Sequence, residues 1–237
     1  ARNIRAGYAE LALPVTAPDM EVPLLHRLDL SAAVRIEDYS DFGTTTNPRL
    51  GARWEPLAGL VLRGTYGTSF RAPGFDNLRS GPGAQAVFSF NLPDPSAPDG
   101  RTQTILLRGN KPGLGPETAT TWTLGADLQP AFLRGFRLSA TLYDIRYRNR
   151  ISAPSDLFSF LAQPAIYAGI TTRNPDLAVV AAYFADPAFL NFSGATPASI
   201  GAIVDGRTQN LSSVHQRGLD LSAHYEARAF GGALSLD

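Results

Sequence analysis

Residues 27–37 read RLDLSAAVRIE, and their alternation decides the fold. Leu28, Leu30, Ala32, Val34 and Ile36 fall on one parity; Arg27, Asp29, Ser31, Ala33, Arg35 and Glu37 fall on the other. Successive side chains of a strand point to opposite faces, so this segment has one surface fit for hydrocarbon and one fit for water. Soluble sandwiches alternate as well. Here the polar face carries formal charges repeatedly, and the pattern recurs in segments of roughly ten residues, the length a tilted transmembrane strand needs. The reading is the wall of an outer-membrane barrel.

Working outward, the alternation yields seven or eight strands. They are placed at 4–13, with a phase slip near Ala9, and at 27–37, 49–55, 60–67, 117–128, 136 to about 147, 217–226 and from 232 onward. Beyond Tyr143 the phase changes, which predicts a bulge or emergence from the bilayer. The connections at 56–59, 129–135 and 227–231 are short, and those at 68–116 and 148–216 are very long. The stretch 38–48 is read as a loop on the same end as the long ones. Such a parity of turns and loops separates the periplasmic and extracellular ends of a barrel. The fold class expected is all-β, part of a large antiparallel up-and-down transmembrane barrel with long extracellular loops. Those loops are dense in breakers, among them Gly81-Pro82-Gly83, Pro93, Pro95, Pro98 and Pro154, and they hold an apolar stretch at 177–184 suited to a short helix.

Composition excludes several classes. Lys+Arg and Asp+Glu both number 21 in 237 residues, so the net charge is zero and no basic footprint for nucleic acid exists. No run approaches the ~18 apolar residues of a membrane helix, which leaves a closed sheet as the way across a bilayer. Cysteine is absent, which removes disulfides, thiolate metal sites and Cys nucleophiles. His26, His215 and His224 lack metal-ligand spacing, and neither HExxH nor GxSxG occurs, so no catalytic residue, metal or cofactor is assigned. The start at Ala1, without a charged and then apolar leader, is read as a mature protein or, preferably, an internal segment.

Two motifs carry a family likeness. Ser69-Phe70-Arg71-Ala72-Pro73 ends the fourth strand and is followed by Phe75 and Asn77-Leu78. Residues 110–125, NKPGLGPETATTWTLG, supply Asn110, Leu114, Pro116, Glu117, Trp122 and Gly125. Together they resemble the barrel of TonB-dependent outer-membrane receptors, in which a strand ending in SFRAP precedes an Asn-Pro-x-Leu-x-Pro-Glu segment and a strand with Trp and Gly. Residues 35–51, RIEDYSDFGTTTNPRLG, and Gly218-Leu219-Asp220-Leu221 are similar to other strands of that family. The stretch 110–114 has one additional residue against the family spacing, and Asn174-Pro175-Asp176-Leu177 lacks the following Pro-Glu and is read as a loop turn.

The resemblance implies uptake of a scarce ligand too large for porins, such as a ferric siderophore, haem, cobalamin or an oligosaccharide, without covalent chemistry. It also implies partners: outer-membrane lipid, the protein's own plug domain, and the TonB complex acting through the N-terminal region. Plug and C-terminal strands are expected to lie outside residues 1–237, since family members close about 22 strands around a plug. Expressed alone, the segment is expected to transport nothing. Two rivals stand beside this reading: a complete small barrel with a structural or adhesive role, and a soluble secreted β-sandwich that binds carbohydrate.

Three groups are candidate sites. Arg35, Arg49, Arg53, Arg63 and Arg71 share the inward parity and could line a route for an anionic metal chelate, or solvate the lumen and pair with plug carboxylates. Glu37, Asp38 and Asp41 offer oxygen ligands to a hard cation, or form a solvated loop. Phe88, Phe90, Tyr167, Tyr183, Phe184 and Phe189 could form a binding surface or pack a loop core. Trp54, Trp122, Tyr8, Tyr66 and Tyr225 are read as interfacial girdle residues.

Overall fold

The computed structural model describes residues 2–79, 85–154, 156, 159–229 and 232–236. In chain order the strands are β1 (Ile4–Thr16), β2 (Arg27–Tyr39), β3 (Gly43–Leu57), β4 (Leu60–Arg71), β5 (Gln85–Pro93), β6 (Arg101–Gly109), β7 (Glu117–Leu128), β8 (Phe136–Ser152), β9 (Thr171–Arg173), β10 (Phe189–Asn191), β11 (Ala202–Asp205), β12 (Gln209–Ala229) and β13 (Gly232–Leu236). Two short helices, α1 (Pro164–Tyr167) and α2 (Leu177–Phe184), lie in the second long connection. The chain divides into two compact units, one of Ala1–Arg71, Pro116–Asn149 and Ser213–Asp237, the other of Ala72–Gly115 and Arg150–Ser212.

The first unit is an eight-stranded meander, β1-β2-β3-β4-β7-β8-β12-β13. All eight strands read from the sequence are present, most of them longer than the alternation indicated. Both long connections leave the sheet at the same end, as antiparallel order requires. The expected phase slip at Ala9 is absent: β1 pairs with β2 without interruption from Ile4↔Tyr39 to Pro14↔Asp29, and the irregularity falls between Pro14 and Thr16. Nor is there a loop at 38–48, because β2 and β3 continue to a tight hairpin closed by Tyr39↔Gly43. The turn from β3 to β4 depends on Gly59, whose φ of +87° suits glycine and whose missing Cβ would lie 2.3 Å from the Gln129 carbonyl oxygen.

Directly opposed residues of an antiparallel pair share a face. One face therefore carries Leu30, Val34, Leu62, Leu124, Leu138 and Leu221, with Trp54, Tyr66, Trp122 and Tyr225. Leu30, Leu124, Leu138, Leu142, Leu219 and Leu221 are all exposed on it. Tyr8 departs from the girdle reading. Its pairing with Arg35 puts it on the opposite, polar face. Among the described residues of this unit no apolar side chain is buried; the buried residues are Thr16, Glu37, Glu117 and Asp144. The register of β7 with β8 runs unbroken from Thr118↔Arg148 to Leu128↔Leu138, so the change beyond Tyr143 is polar residues arriving on the apolar face and not a bulge.

The second unit is built from the two long connections, which are folded and not irregular. Its sheet runs β10-β5-β6-β11-β9, in which β5 and β6 come from the first connection and β9, β10 and β11 from the second. The joining pairs are parallel, β10 with β5 and β11 with β6. Ile105, Val87, Leu107, Val180, Ala195, Ile200 and Ile203 form one core, against which Tyr183, Phe184 and Phe189 pack. Leu106, Leu92, Phe160, Leu161, Ile170, Ala202 and Val204 form another, flanked by Phe88, Phe90 and Tyr167. The six aromatics considered for a binding surface thus pack these cores. Residues 174–177 combine a turn, with Asn174 at φ +49°, and a helix start, where the Asp176 side chain accepts from the Ala178 amide at 2.7 Å and caps α2. The breaker run Gly81-Pro82-Gly83 lies outside the described residues.

Candidate functional site

The polar face of the first unit is organised in rows. Asp29, Arg53, Arg63, Gly125 and Thr141 stand directly opposite one another across β2, β3, β4, β7 and β8. The next row is Ser31, Gly51, Thr65, Thr123 and Tyr143. A concavity of about 1410 Å³ over this face is lined by Asp29, Ser31, Arg53, Arg63, Thr65 and Asp127, among others.

All five candidate arginines lie on this face, but only two are neighbours. Arg53 and Arg63 are directly opposed, and each is held by carboxylates. Arg63 donates from Nε to Asp127 at 2.9 Å and from Nη2 to Thr141 at 2.7 Å. Ser139 donates to the other Asp127 oxygen at 2.6 Å, which fixes that carboxylate. Arg63 reaches across β7 because residue 125 is glycine; a Cβ there would lie 2.7 Å from the guanidinium carbon. Arg53 donates to Glu55 at 3.2 Å and stands 3.7 Å from Asp29, which also accepts from Arg27 at 2.7 Å. Two like charges in adjacent strands are tolerated because three carboxylates, Asp29, Glu55 and Asp127, offset them. Arg35 instead pairs with Glu37 on its own strand at 2.9 Å. Arg49 has no hydrogen-bond or ion-pair partner among the described residues, and its stem lies over Gly67.

The fifth arginine belongs to a different construction. Arg71 stands opposite Glu117, and its guanidinium forms an ion pair with that carboxylate at 2.5 Å. Glu117 is fully buried and also accepts from the Tyr147 hydroxyl. The two sequence motifs therefore meet: the arginine of Ser69-Phe70-Arg71-Ala72-Pro73 neutralises the glutamate that opens β7. Phe70 packs edge-on to Tyr39 at 5.5 Å, Ser69 is exposed, Ala72 is half-buried, and Pro73 is buried as the strand ends. Within the second unit, the Asn110 side-chain amide donates to the Asp76 carbonyl at 2.7 Å and Leu114 is buried; half-buried Pro116, in the first unit, leads into β7.

The acidic group does not converge. Glu37 is held by Arg35, Asp41 by Arg2 at 2.6 Å, and Asp38 accepts from the Thr44 hydroxyl at 3.0 Å. Among the described residues no group of acidic, His or Cys side chains is arranged to hold a metal.

A second link between connections was not visible in the sequence. Asp94, 1% exposed, receives both terminal nitrogens of Arg173, at 2.6 and 3.1 Å, and the hydroxyls of Ser96 and Thr102 at 2.6 Å each. The Arg173 hydrogen bonds hold its carboxyl well below the usual carboxylate range, outweighing the opposing effect of burial.

A family model described as TonB-dependent receptor-like β-barrel matches residues 2–237. The chain belongs to that family. Solved TonB-dependent receptors share its fold at low identity. The siderophore receptor PirA from Acinetobacter baumannii matches with TM-score 0.59 at 17% identity, over 94% of this chain and 26% of that one. PirA from Pseudomonas aeruginosa matches with TM-score 0.53 at 18% identity, over 99% and 33%. A mutant of the ferric enterobactin receptor PfeA from Pseudomonas aeruginosa gives 0.58 at 16%, over 99% and 26%. The chain thus spans between about a quarter and a third of the length of these receptors.

Proposed function

We propose that residues 1–237 are part of the barrel domain of an outer-membrane receptor that imports a scarce ligand such as a ferric siderophore. The observation that carries this is the inverted burial of the first unit, whose large apolar side chains are exposed on one face while its buried residues are polar. Such a face needs hydrocarbon as its solvent. The protein works by binding and passage, with no reaction assigned, in the outer membrane of a Gram-negative type cell. Plug domain, remaining strands and the TonB-contacting region belong to the rest of the protein. β1 and β13 are the outermost strands of the sheet order, with no pairing between them among the described residues. Open edges are not tolerated in hydrocarbon, so further strands complete the wall, which weighs against a small closed barrel. A secreted sandwich would need a buried apolar layer that the meander lacks.

Arg49, without a partner among the described residues, and Arg53 and Arg63, which line the concavity while paired with Glu55 and Asp127, are the lumen cations proposed to meet an anionic chelate or acidic plug residues; Arg35 and Arg71 lie outside that concavity, paired with Glu37 and Glu117. Growth of a cell lacking its own ferric siderophore receptors, complemented with the full-length gene, tests the reading. Iron-limited growth on ferric siderophore that requires TonB is expected. Growth independent of TonB, or none with any chelate, haem, cobalamin or oligosaccharide, would overturn it.

A further inference from the structure

The apolar face of the meander ends abruptly in charge. Leu142 stands opposite Leu124, and one step further along the same face Asp144 stands opposite Trp122, about 7 Å away along the strand. Arg146 and Arg148 follow on that face, opposite Thr120 and Thr118. On β12, Leu221 and Leu219 give way at the same parity to Arg217 and His215.

These groups are built around one buried carboxylate. Asp144 is 1% exposed and accepts from Nε of Arg146 at 3.2 Å, from Nε of Arg217, and from the His215 ring at 2.8 Å. Both guanidiniums are thus held by Nε alone. Their terminal amino groups have no acceptor among the described residues, and Arg148 has no partner there at all. Three guanidiniums stand against one carboxylate, with no other acidic side chain facing them from β7 or β12. A planar fork whose outer donors are free and whose inner donor is fixed suits tetrahedral phosphate oxygens.

We propose that Arg146, Arg148 and Arg217 seat a phosphate of an anionic lipid headgroup, with the acyl chains lying on Leu142, Leu219 and Trp122. This rests on the reading of that face as the outer face of a membrane barrel. Lipid is the occupant favoured because the cations adjoin exposed hydrocarbon side chains; a free anion would use the charge and leave the apolar ground beside it wet. Asp144 is the positioning residue, since it sacrifices one charge to orient two.

The test uses the full-length protein carrying this segment, placed in phosphatidylcholine nanodiscs containing a minor fraction of diphosphorylated lipid A, with bound lipid read by native mass spectrometry. Wild type is expected to retain lipid A about tenfold better than Arg146→Gln/Arg217→Gln, as loss of two charge-assisted contacts implies. Arg148→Gln, which breaks no contact within the protein, should lower retention about threefold. Asp144→Asn adds net positive charge, so a surface acting by charge alone would bind more tightly, whereas a positioned site binds less. Inorganic phosphate should not displace the lipid. Equal retention by the double variant, tighter binding by Asp144→Asn, or displacement by inorganic phosphate would each overturn the proposal while leaving the barrel reading intact. Failure of the wild type to enter nanodiscs of any composition would overturn both.

Discussion

The two units of this chain spend apolar residues in opposite ways. In the meander, Leu30, Leu124, Leu142, Leu219 and Leu221 are exposed and the buried residues are Thr16, Glu37, Glu117 and Asp144. In the unit made from the long connections, Ile105, Leu106, Phe160 and Val204 are at most 1% exposed and form two cores on the faces of a small sheet. One sequence therefore contains a soluble-type domain and a sheet turned inside out. The difference shows that burial is defined by the solvent a surface meets, and that hydropathy averaged over the chain conceals both.

The largest effect expected from breaking this contrast is core truncation. Phe160→Ala should destabilise the second unit by about 3–5 kcal/mol, because a fully packed ring leaves a cavity. Leu124→Ala, in the meander, should cost about 1 kcal/mol or less in a bilayer, since lipid replaces the lost contacts. Hydrogen exchange at β5, β6 and β11 for the first and urea unfolding in lipid for the second measure the two. Comparable losses would erase the distinction.

Charge insertion comes next. Val34→Arg should cost about 2–4 kcal/mol of folding into lipid, and its neighbour Ser31→Arg, on the polar face, far less. Equal effects would mean that the facing is wrong.

Part of the acid sensitivity of the second unit should come from the Asp94–Arg173 ion pair. Asp94 has a folded-state pKa depressed by Arg173, so its contribution is complete above its unfolded pKa of about 4 and is lost as pH falls toward the folded value. Thermal unfolding between pH 5 and 2 should therefore show less acid destabilisation in Asp94→Asn than in wild type. An unchanged slope would remove Asp94 from the stability of that unit.

The smallest effect sharpens the polar face of the meander. Gly125→Ala places a Cβ 2.7 Å from the Arg63 guanidinium carbon and should cost about 1 kcal/mol by displacing it from Thr141. The penalty should vanish in an Arg63→Ala background, which removes every Arg63 atom that the new Cβ would meet, as a double-mutant cycle would show.

The meander was legible because a period of two, written in residues such as Leu28 to Glu37, survives every local irregularity. The shared polar face of Arg53 and Arg63 followed from the same parity. Their partners did not, because Asp127 lies 64 residues from Arg63 and no local pattern announces it. Tyr8 was misplaced for a related reason: β1 is weakly alternating, and pairing with Arg35, not its own neighbours, decides its face. The second unit was illegible as a sheet because its strands are short, apolar on both faces and separated by proline and glycine. The runs Ile105-Leu106-Leu107 and Ala202-Ile203-Val204 were the available signal, since a short apolar run bounded by polar residues suits a strand buried on both faces.

The parallel pairing of Ile105 with Ile203 has a consequence for inheritance. β5 and β6 form a local hairpin, yet their outer neighbours are encoded about a hundred residues later, so the sheet is finished only when the second insertion has been made. Neither insertion is a self-sufficient module. A recombination that replaced one and kept the other would strip Ile105 of its neighbour and leave Asp94 without Arg173. Variation in the two stretches is therefore bound to be correlated, and any transplant of this unit between related chains has to carry both together.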